Sequence, residues 1–288
     1  MNAALKIMML AVALAGCGLR EPMPATQDVE TPTLTPRAST YKDLLELPRP
    51  KGRLVAAVYN FRDQTGQYKP TPASSFSTSV TQGAASMLMD SLAASGWFMV
   101  LEREGLQNLL TERKIIRASQ KKPNTPANIQ AELPPLQAAN VMLEGGIIAY
   151  DTNIRTGGDG ARYLGIGTSI EYRIDQVSVN LRAVDVRSGQ VLANVMTSKT
   201  IYSFAQSASV FKFIEFRKLL EAEVGYTTNE PAQLCVLSAI EAAVAHLVAQ
   251  GIERHLWQVA DESQKDGSSL PKYVGQYQSS LQGEGGTQ

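Results

Sequence analysis

The first half of the chain alternates short apolar runs with segments whose apolar residues recur at helical spacing. Ala84, Leu88 and Leu92 follow one another every four residues, which predicts a helix that ends near Ser95 and has one buried face. Runs rich in branched and aromatic residues predict three strands: Leu54–Phe61, Trp97–Leu101 and Val141–Ala149. Strands that alternate with helices indicate an α/β domain.

The second half is richer in strands and ends in a helix. Residues 154–201 alternate apolar and polar side chains, and Arg187–Gln190 is predicted to form a hairpin turn between two apolar runs. Apolar residues at spacings of three and four predict a helix over Pro231–Trp257. Beyond Trp257 the chain is rich in Ser, Gln and Gly, which predicts a flexible tail.

One predicted strand has the most regular alternation of the whole chain. Its apolar positions share one face: Ile166, Ile170, Tyr172 and Ile174. Charged residues share the other face: Glu171 and Arg173. At Asp175-Gln176 the pattern slips by one residue, which predicts a bulge or a bend. Residues 154–174 are therefore a candidate hairpin with two different faces.

Residues 204–228 form a second candidate hairpin. Val224 and Tyr226 share one face of its second limb, and Glu221 and Glu223 share the other. A transmembrane β-strand needs about 9–11 residues, and each candidate is long enough for two. A water-exposed antiparallel sheet predicts the same alternation, so the pattern alone leaves both interpretations open. Because open sheet edges are not tolerated in lipid, membrane insertion would require several copies in a ring.

The N-terminus has the pattern of a bacterial lipoprotein. Lys6 precedes the apolar run Ile7–Ala15, which is typical of a signal peptide over residues 1–16. The run ends in Leu14-Ala15-Gly16-Cys17, a lipobox in which Cys17 would be acylated and become the mature N-terminus. An ordinary secretory cleavage site with an incidental cysteine is the alternative. Acyl chains would anchor the protein by about 0.8 kcal/mol per buried CH₂, and the residue after the cysteine, Gly18, favours the outer membrane.

Composition excludes several classes of function. Lys and Arg number 27, as do Asp and Glu, so the chain has no basic footprint for nucleic acid. The sequence has no nucleophile elbow, phosphate-binding loop or complete dinucleotide fingerprint, so we expect neither an enzyme nor a bound cofactor other than the covalent lipid. His246 and His255 would lie about 180° apart on one helix, so we expect no metal site from them. No uninterrupted apolar window reaches about 18 residues.

Several long segments carry a resemblance to a known family: residues 36–44, 105–110, 112–118, 160–163, 165–167, 219–221 and 223–227. On these segments the chain resembles the CsgG family of curli secretion channel lipoproteins, over almost the whole mature chain. The resemblance implies an α+β or α/β periplasmic domain with two transmembrane β-hairpins per protomer. Lipidated protomers would form a nonameric ring that closes one oligomeric outer-membrane β-barrel.

The resemblance also implies the function and the partners. Unfolded curli (amyloid) subunits would pass from the periplasm to the cell surface by diffusion, without ATP. Expected partners are further copies of the chain, curli subunits, a periplasmic capping factor, an extracellular accessory factor and outer-membrane lipid. The alternative is a periplasmic lipoprotein that acts as a binding or scaffold module without a pore.

Site residues follow from the same resemblance. Lipid-facing positions would be Ile166, Ile170, Tyr172, Ile174, Val224 and Tyr226. Lumen-facing positions would be Glu171, Arg173, Glu221 and Glu223. The family's constriction loop maps onto residues 67–77. Without the resemblance, this segment would be interpreted as an ordinary surface turn bounded by prolines. The residues that would narrow the pore are Thr71, Ser75 and Phe76, and Tyr68 lies in the same loop. Only Phe76 keeps the family's aromatic residue; Thr71 and Ser75 are smaller than the family's Tyr and Asn, which leaves the width of the constriction open.

These inferences divide the chain into segments. The predicted boundaries are residues 1–16, signal peptide; 17–52, lipidated N-terminal arm with a short helix; 53–153, periplasmic α/β domain; 154–174, first transmembrane hairpin; 175–203, periplasmic hairpin; 204–228, second transmembrane hairpin; 229–259, C-terminal helix; and 260–288, flexible tail.

Overall fold

The computed structural model describes residues 34, 37–68, 77–120, 133–157, 170–207, 210–214 and 231–282. Strands in these ranges are β1 Leu54–Val58, β2 Arg62–Asp63, β3 Phe98–Leu101, β4 Val141–Gly157, β5 Ile170–Asp185, β6 Val191–Ser207 and β7 Val210–Ile214. Helices are α1 Ser39–Leu45, α2 Ala84–Ala94, α3 Leu106–Gln120, α4 Pro231–Glu253 and α5 Leu270–Gln282, with a 3₁₀ turn at Glu262–Gln264.

One mixed sheet joins these strands in the order β3-β1-β4-β5-β6-β7, and β2 also pairs with β4. β1 is parallel to both β3 and β4, as crossover connections through α2 and α3 allow. From β4 onwards each strand pairs antiparallel with the next. Gly189 adopts a positive φ of 73° in the turn between β5 and β6, within the predicted turn Arg187–Gln190. The predicted α/β character is thus confirmed, in the form of an open mixed sheet.

Helix α4 is the central helix of the core. It packs on β5 and β6 and contacts α1, α2 and α5. Residues 233–253 are apolar and long enough to cross a membrane, but 89% of their most apolar stretch is buried inside the fold. Each fully buried large aliphatic side chain contributes about 1.5–3 kcal/mol of hydrophobic stabilisation, so α4 stabilises the domain as its core helix.

Helix α4 ends at Glu253, four residues before the predicted end at Trp257. His255 adopts a positive φ of 56°, which stops the helix and turns the chain back. Trp257 then packs on α4 and donates its indole N–H to the carbonyl of Val248 at 3.0 Å. Gly251 makes room for the ring, because a Cβ at that position would lie 1.8 Å from it.

The prediction of a flexible tail over residues 260–288 is wrong for the part that is described. The chain there forms the 3₁₀ turn and α5, with Leu270 and Tyr273 only 3% and 2% exposed. The hydroxyl of Tyr273 donates to the carboxylate of Asp43 in α1 at 2.7 Å, and its ring meets the ring of His246 edge-on at 4.8 Å. The polar composition was misleading because the few apolar residues of α5 share one face, and one face is enough to dock a helix.

Candidate functional site: long hairpins and the stem of a loop

Strands β4, β5 and β6 are long, at 17, 16 and 17 residues. At about 3.3 Å per residue each spans roughly 50 Å, whereas a usual strand spans about 17–20 Å. β4 and β5 stay paired as far as Gly157 opposite Ile170, and β5 and β6 as far as Tyr172 opposite Phe204. β7 continues the pairing on β6. The sheet therefore extends as hairpins well beyond the length that a small core requires.

Helix α4 packs in the same core as the part of β5 that follows Asp175. Val177 and Leu181 are fully buried in that core, while Gln176, the residue just before Val177, is exposed. Among the β5 side chains whose burial is described, residues 174–185, the buried one nearest the hairpin end is Asp175. Its backbone carbonyl accepts a weak hydrogen bond, 3.6 Å long, from Sγ of Cys235 near the N-terminal end of α4. Helix α4 therefore covers β5 as far as Asp175.

The prediction of a bulge at Asp175-Gln176 is wrong. β5 pairs in continuous register with both of its neighbours through these two residues. The irregularity lies on β4 between Ile147 and Ala149, where one extra residue keeps Ile147 and Tyr150 both buried. Positions 170, 172 and 174 therefore share the alternation of exposed Gln176, and positions 171 and 173 share that of buried Asp175. The slip in the pattern is therefore not a bulge: the strand is unbroken, and its apolar face switches from one side to the other at Asp175.

A buried carboxylate lies at this change of face. Asp175 is completely buried, and its Oδ1 accepts hydrogen bonds from the hydroxyls of Tyr150 at 2.8 Å and Thr152 at 2.7 Å, both on β4. Such bonds are what make a buried carboxylate tolerable. Sequence reasoning treated Asp175 only as a position in the pattern, although a polar residue at the slip was a usable signal. Burial, with the nearby Asp175 charge, also raises the pKa of the Cys235 thiol to about 12, so the thiol stays protonated at neutral pH.

The stem of the predicted constriction loop is attached to β4. β2 pairs in parallel with β4 and places Arg62 opposite Gly146. Immediately after β2, the backbone N–H of Gln64 donates to the carbonyl of Ile147 at 2.9 Å. The side-chain amide of Gln64 donates to the carbonyl of Gly145, also at 2.9 Å. The same strand that enters the long hairpin thus holds the first side of the loop.

The two sides of the loop meet in a small bridge. Tyr68 and Thr78 form an isolated antiparallel pair, so the chain leaves and returns at one place. Asp63 supports this stem, because its carboxylate accepts from the backbone N–H of Thr65 at 2.9 Å and from the amide of Gln82 at 3.3 Å. Residues between the two sides therefore start and end at a defined position on the sheet.

Two glycines on β4 allow the close approach that this stem needs. A Cβ on Gly146 would lie 2.2 Å from the carbonyl oxygen of Arg62. A Cβ on Gly145, whose φ is 150°, would lie 2.0 Å from the carbonyl oxygen of Asn180 on β5. Real Cβ atoms essentially never come so close, so β4 can contact both neighbours here only without side chains.

Comparison with known proteins identifies the family. The family profile described as "Curli production assembly/transport component CsgG" matches residues 37–277. The curli production assembly/transport component CsgG of Citrobacter koseri is 49% identical over 269 residues, which cover 93% of this chain and 96% of that protein. The protein of that name from Escherichia coli K12 is 49% identical over 267 residues, covering 93% and 95%. The chain belongs to the CsgG family.

Membership confirms the resemblance seen in the sequence, and it places the chain among curli production and transport components. A PelC dodecamer from Paraburkholderia phytofirmans aligns over 69% of this chain and 91% of its own, with 16% identity and a TM-score of 0.30. That likeness is too loose to support a conclusion about assembly.

Many residues predicted to carry function in this member of the CsgG family lie outside the described part of the chain: Cys17, Thr71, Ser75, Phe76, Ile166, Glu221, Glu223, Val224 and Tyr226. Tyr68 is described at the loop stem and is 61% exposed. Ile170, Glu171, Tyr172 and Arg173 lie on the described backbone of β5, and Ile174 is half-buried. The second predicted hairpin is described only in the end of β6 and in β7.

Within the described ranges, no group of three or more His, Cys, Asp or Glu side chains is arranged to hold a metal ion. The CsgG family is one of assembly and transport components and is not known for catalysis. Strand β4 both enters the first long hairpin and holds the stem of the loop.

Proposed function

We propose that this chain is one protomer of an outer-membrane channel that exports curli subunits. The exchange of apolar faces along β5 is the observation that carries the proposal. In the domain, the face of Val177 is packed in the core and the face of Gln176 is exposed. Beyond Asp175, the positions that share the exposed alternation become apolar. A barrel wall with lipid outside and water inside requires this exchange when it grows from a soluble domain.

In this proposal the two faces of the hairpins have different surroundings. Ile166, Ile170, Tyr172 and Ile174 would face lipid in the first hairpin, with Val224 and Tyr226 in the second. The lumen would receive the charged positions Glu171, Arg173, Glu221 and Glu223. Because a bilayer leaves unpaired backbone groups unsatisfied, one chain's hairpins must pair with those of neighbouring copies until the ring closes. The ring that we propose is a nonamer.

The constriction would be built by the loop on the stem at β4. Phe76 of each copy would contribute one ring to an aromatic belt, while Thr71 and Ser75 would add hydroxyl groups. Apolar contacts of this kind tolerate any sequence, so an unfolded polypeptide could pass by diffusion, without ATP. Support comes from the stem, where hydrogen bonds from Gln64 to β4 give the loop a defined starting position.

The remaining parts of the proposal concern the envelope. Acylated Cys17 would hold each protomer at the outer membrane, with most of the domain in the periplasm. Curli subunits would be the cargo, and a periplasmic capping factor and an extracellular accessory factor would act at the two ends of the channel. We propose no nucleic-acid partner, no further cofactor and no catalytic step.

Single-channel recording in planar bilayers tests the proposal directly. The purified full-length chain should insert and give discrete conductance steps, and it should restore curli secretion to cells that lack their own channel. A periplasmic scaffold without a pore would give neither, and stable protein without conductance would refute the channel.

A matched pair of variants tests the two faces of β5. Ile170→Arg should block insertion, because a charged side chain facing lipid at the midplane costs about 2–4 kcal/mol. Glu171→Arg should still insert, because a lumen position changes mainly conduction. Membrane fractionation and bilayer recording measure the two outcomes. Equal tolerance of both variants would instead indicate a sheet with both faces in water.

A further inference from the structure

Helix α4 contains a second buried carboxyl group, far from the hairpin end. Glu241 is completely buried, and its Oε2 accepts a hydrogen bond from the hydroxyl of Thr40 in α1. Its other oxygen, Oε1, finds no hydrogen-bond partner among the described residues. An ionised carboxylate buried in this place would lose most of its hydration free energy and gain only one hydrogen bond. A neutral carboxyl group loses much less hydration free energy on burial.

The positive charge of Arg37 acts on Glu241, but its guanidinium pairs with another carboxylate. Arg37, just before α1, forms its ion pair with Asp90 of α2 and lies over the ring of Tyr41 at 4.4 Å. Asp90 and Asp43 add negative charge around Glu241. Burial, opposed by the Thr40 hydrogen bond and by Arg37, raises the pKa of Glu241 to about 7. Glu241 therefore titrates in the neutral range.

Other ionisable groups on the packed elements face different partners or act in the opposite direction. Asp43 is held by α5, where Lys272 pairs with it and the Tyr273 hydroxyl donates to it. On the sheet side of α4, Asp175 and Lys199 act on Cys235. His246, five residues further along α4, has a pKa lowered by burial, so its protonation would destabilise the fold as pH falls.

We propose that Glu241 is a proton-dependent latch that fastens α1 onto α4. In the neutral form the carboxyl group is compatible with burial beneath Thr40 and the latch is closed. Ionisation places a charge in the core, and moving α1 away is the change that rehydrates it. The protomer would thus release α1 as the pH rises through neutrality.

The sign follows from linkage. A carboxyl group whose pKa is higher in the docked state binds its proton more tightly there, so docking is fully favoured below the ordinary pKa of 4.5 and is weakened as pH rises toward about 7. With those two values, the docking equilibrium falls by up to roughly 70-fold between pH 5 and pH 8 if released Glu241 titrates normally. Above pH 8 the curve should be flat.

Hydrogen exchange of the purified full-length chain tests the latch. Protection of the amides of α1, corrected for intrinsic exchange, should fall between pH 5 and pH 8 relative to the amides of β5. Glu241→Gln, which keeps the shape and cannot ionise, should make α1 protection independent of pH and higher than wild type at pH 8. A wild-type profile without pH dependence, or one that Glu241→Gln leaves unchanged, would overturn the proposal.

A second measurement covers the case in which Glu241→Gln fails to fold. Infrared difference spectra of wild type should show a buried carboxyl group that titrates near pH 7, and Thr40→Val should shift its band by removing the hydroxyl. If no carboxyl group titrates above pH 6, the latch does not exist.

Discussion

Gly146→Ala should displace the proposed constriction loop, although residue 146 lies outside that loop. The new methyl group would lie 2.2 Å from the carbonyl oxygen of Arg62 and 2.8 Å from Nε2 of Gln64. A carbon in contact with a carbonyl oxygen needs about 3.3 Å or more, so β2 must move by roughly 1 Å. Because β2 leads directly into the loop stem, the first side of the loop must move with it.

The size of the effect can be worked from the contacts that are lost. Gln64 makes two hydrogen bonds of 2.9 Å to β4, each contributing a net stabilisation of about 1 kcal/mol. Overpacking in a well-packed region costs about 1–3 kcal/mol. The lost hydrogen bonds and the overpacking are two estimates of the cost of the same displacement, so they are not added. At about 2–4 °C per kcal/mol for a domain of this size, the melting temperature should fall by roughly 2–12 °C. The loss is too small to prevent folding, so the channel can still be recorded.

The assay combines thermal unfolding with single-channel recording, and Gly52→Ala is the control. A methyl group on Gly52 would have nothing within 4 Å of it, and the φ of Gly52 is not positive, so that variant should behave as wild type. Gly146→Ala should broaden the distribution of conductance levels, because the loops of a ring would no longer share one position. Unchanged stability would refute the steric argument, and lowered stability with unchanged conductance would separate the constriction from this stem.

The other predictions concern positions outside the described residues. Cys17→Ala should leave a soluble periplasmic product that inserts poorly, because the anchor keeps protomers concentrated at the membrane; intact-mass analysis of wild type without an acyl addition would contradict it. Phe76→Ala should raise conductance and impair curli secretion, whereas Thr71→Tyr should lower conductance by narrowing the pore; unchanged conductance in both would place the constriction elsewhere.

Sequence reasoning succeeded where one local pattern determined the element. The turn between β5 and β6 was predicted from a polar segment between two apolar runs, and Gly189 supplies the positive φ that such a turn uses. Helix α4 was predicted from its spacing, and only its last turn was wrong, because Trp257 continues the apolar spacing after the helix has ended. Family membership, too, was visible in long segments of the sequence.

Elements defined by partners distant in sequence were missed. Helix α5 is docked by Tyr273 on Asp43, two residues 230 positions apart, and composition carries no information about such a pair. The burial of Glu241 was missed for the same reason, because its hydrogen-bond partner Thr40 lies 201 positions away in the sequence. A glutamate in an apolar helix is ordinarily read as a surface position, and only the packing of α1 over it shows the opposite.

The slip at Asp175-Gln176 shows the limit most clearly. Alternation shows which side chains are apolar. It indicates the register of the backbone only as long as each face of the strand stays in one environment. On β5 the register is continuous and the environment is what differs on either side of Asp175, so the rule that normally reveals a bulge predicted one that is absent. The true bulge, on β4 between Ile147 and Ala149, left a weaker trace because Ile148 is apolar like its neighbours. A slip in polarity without a bulge therefore indicates that the surroundings of the strand change at that point. In this chain the change occurs where β5 enters the hairpins.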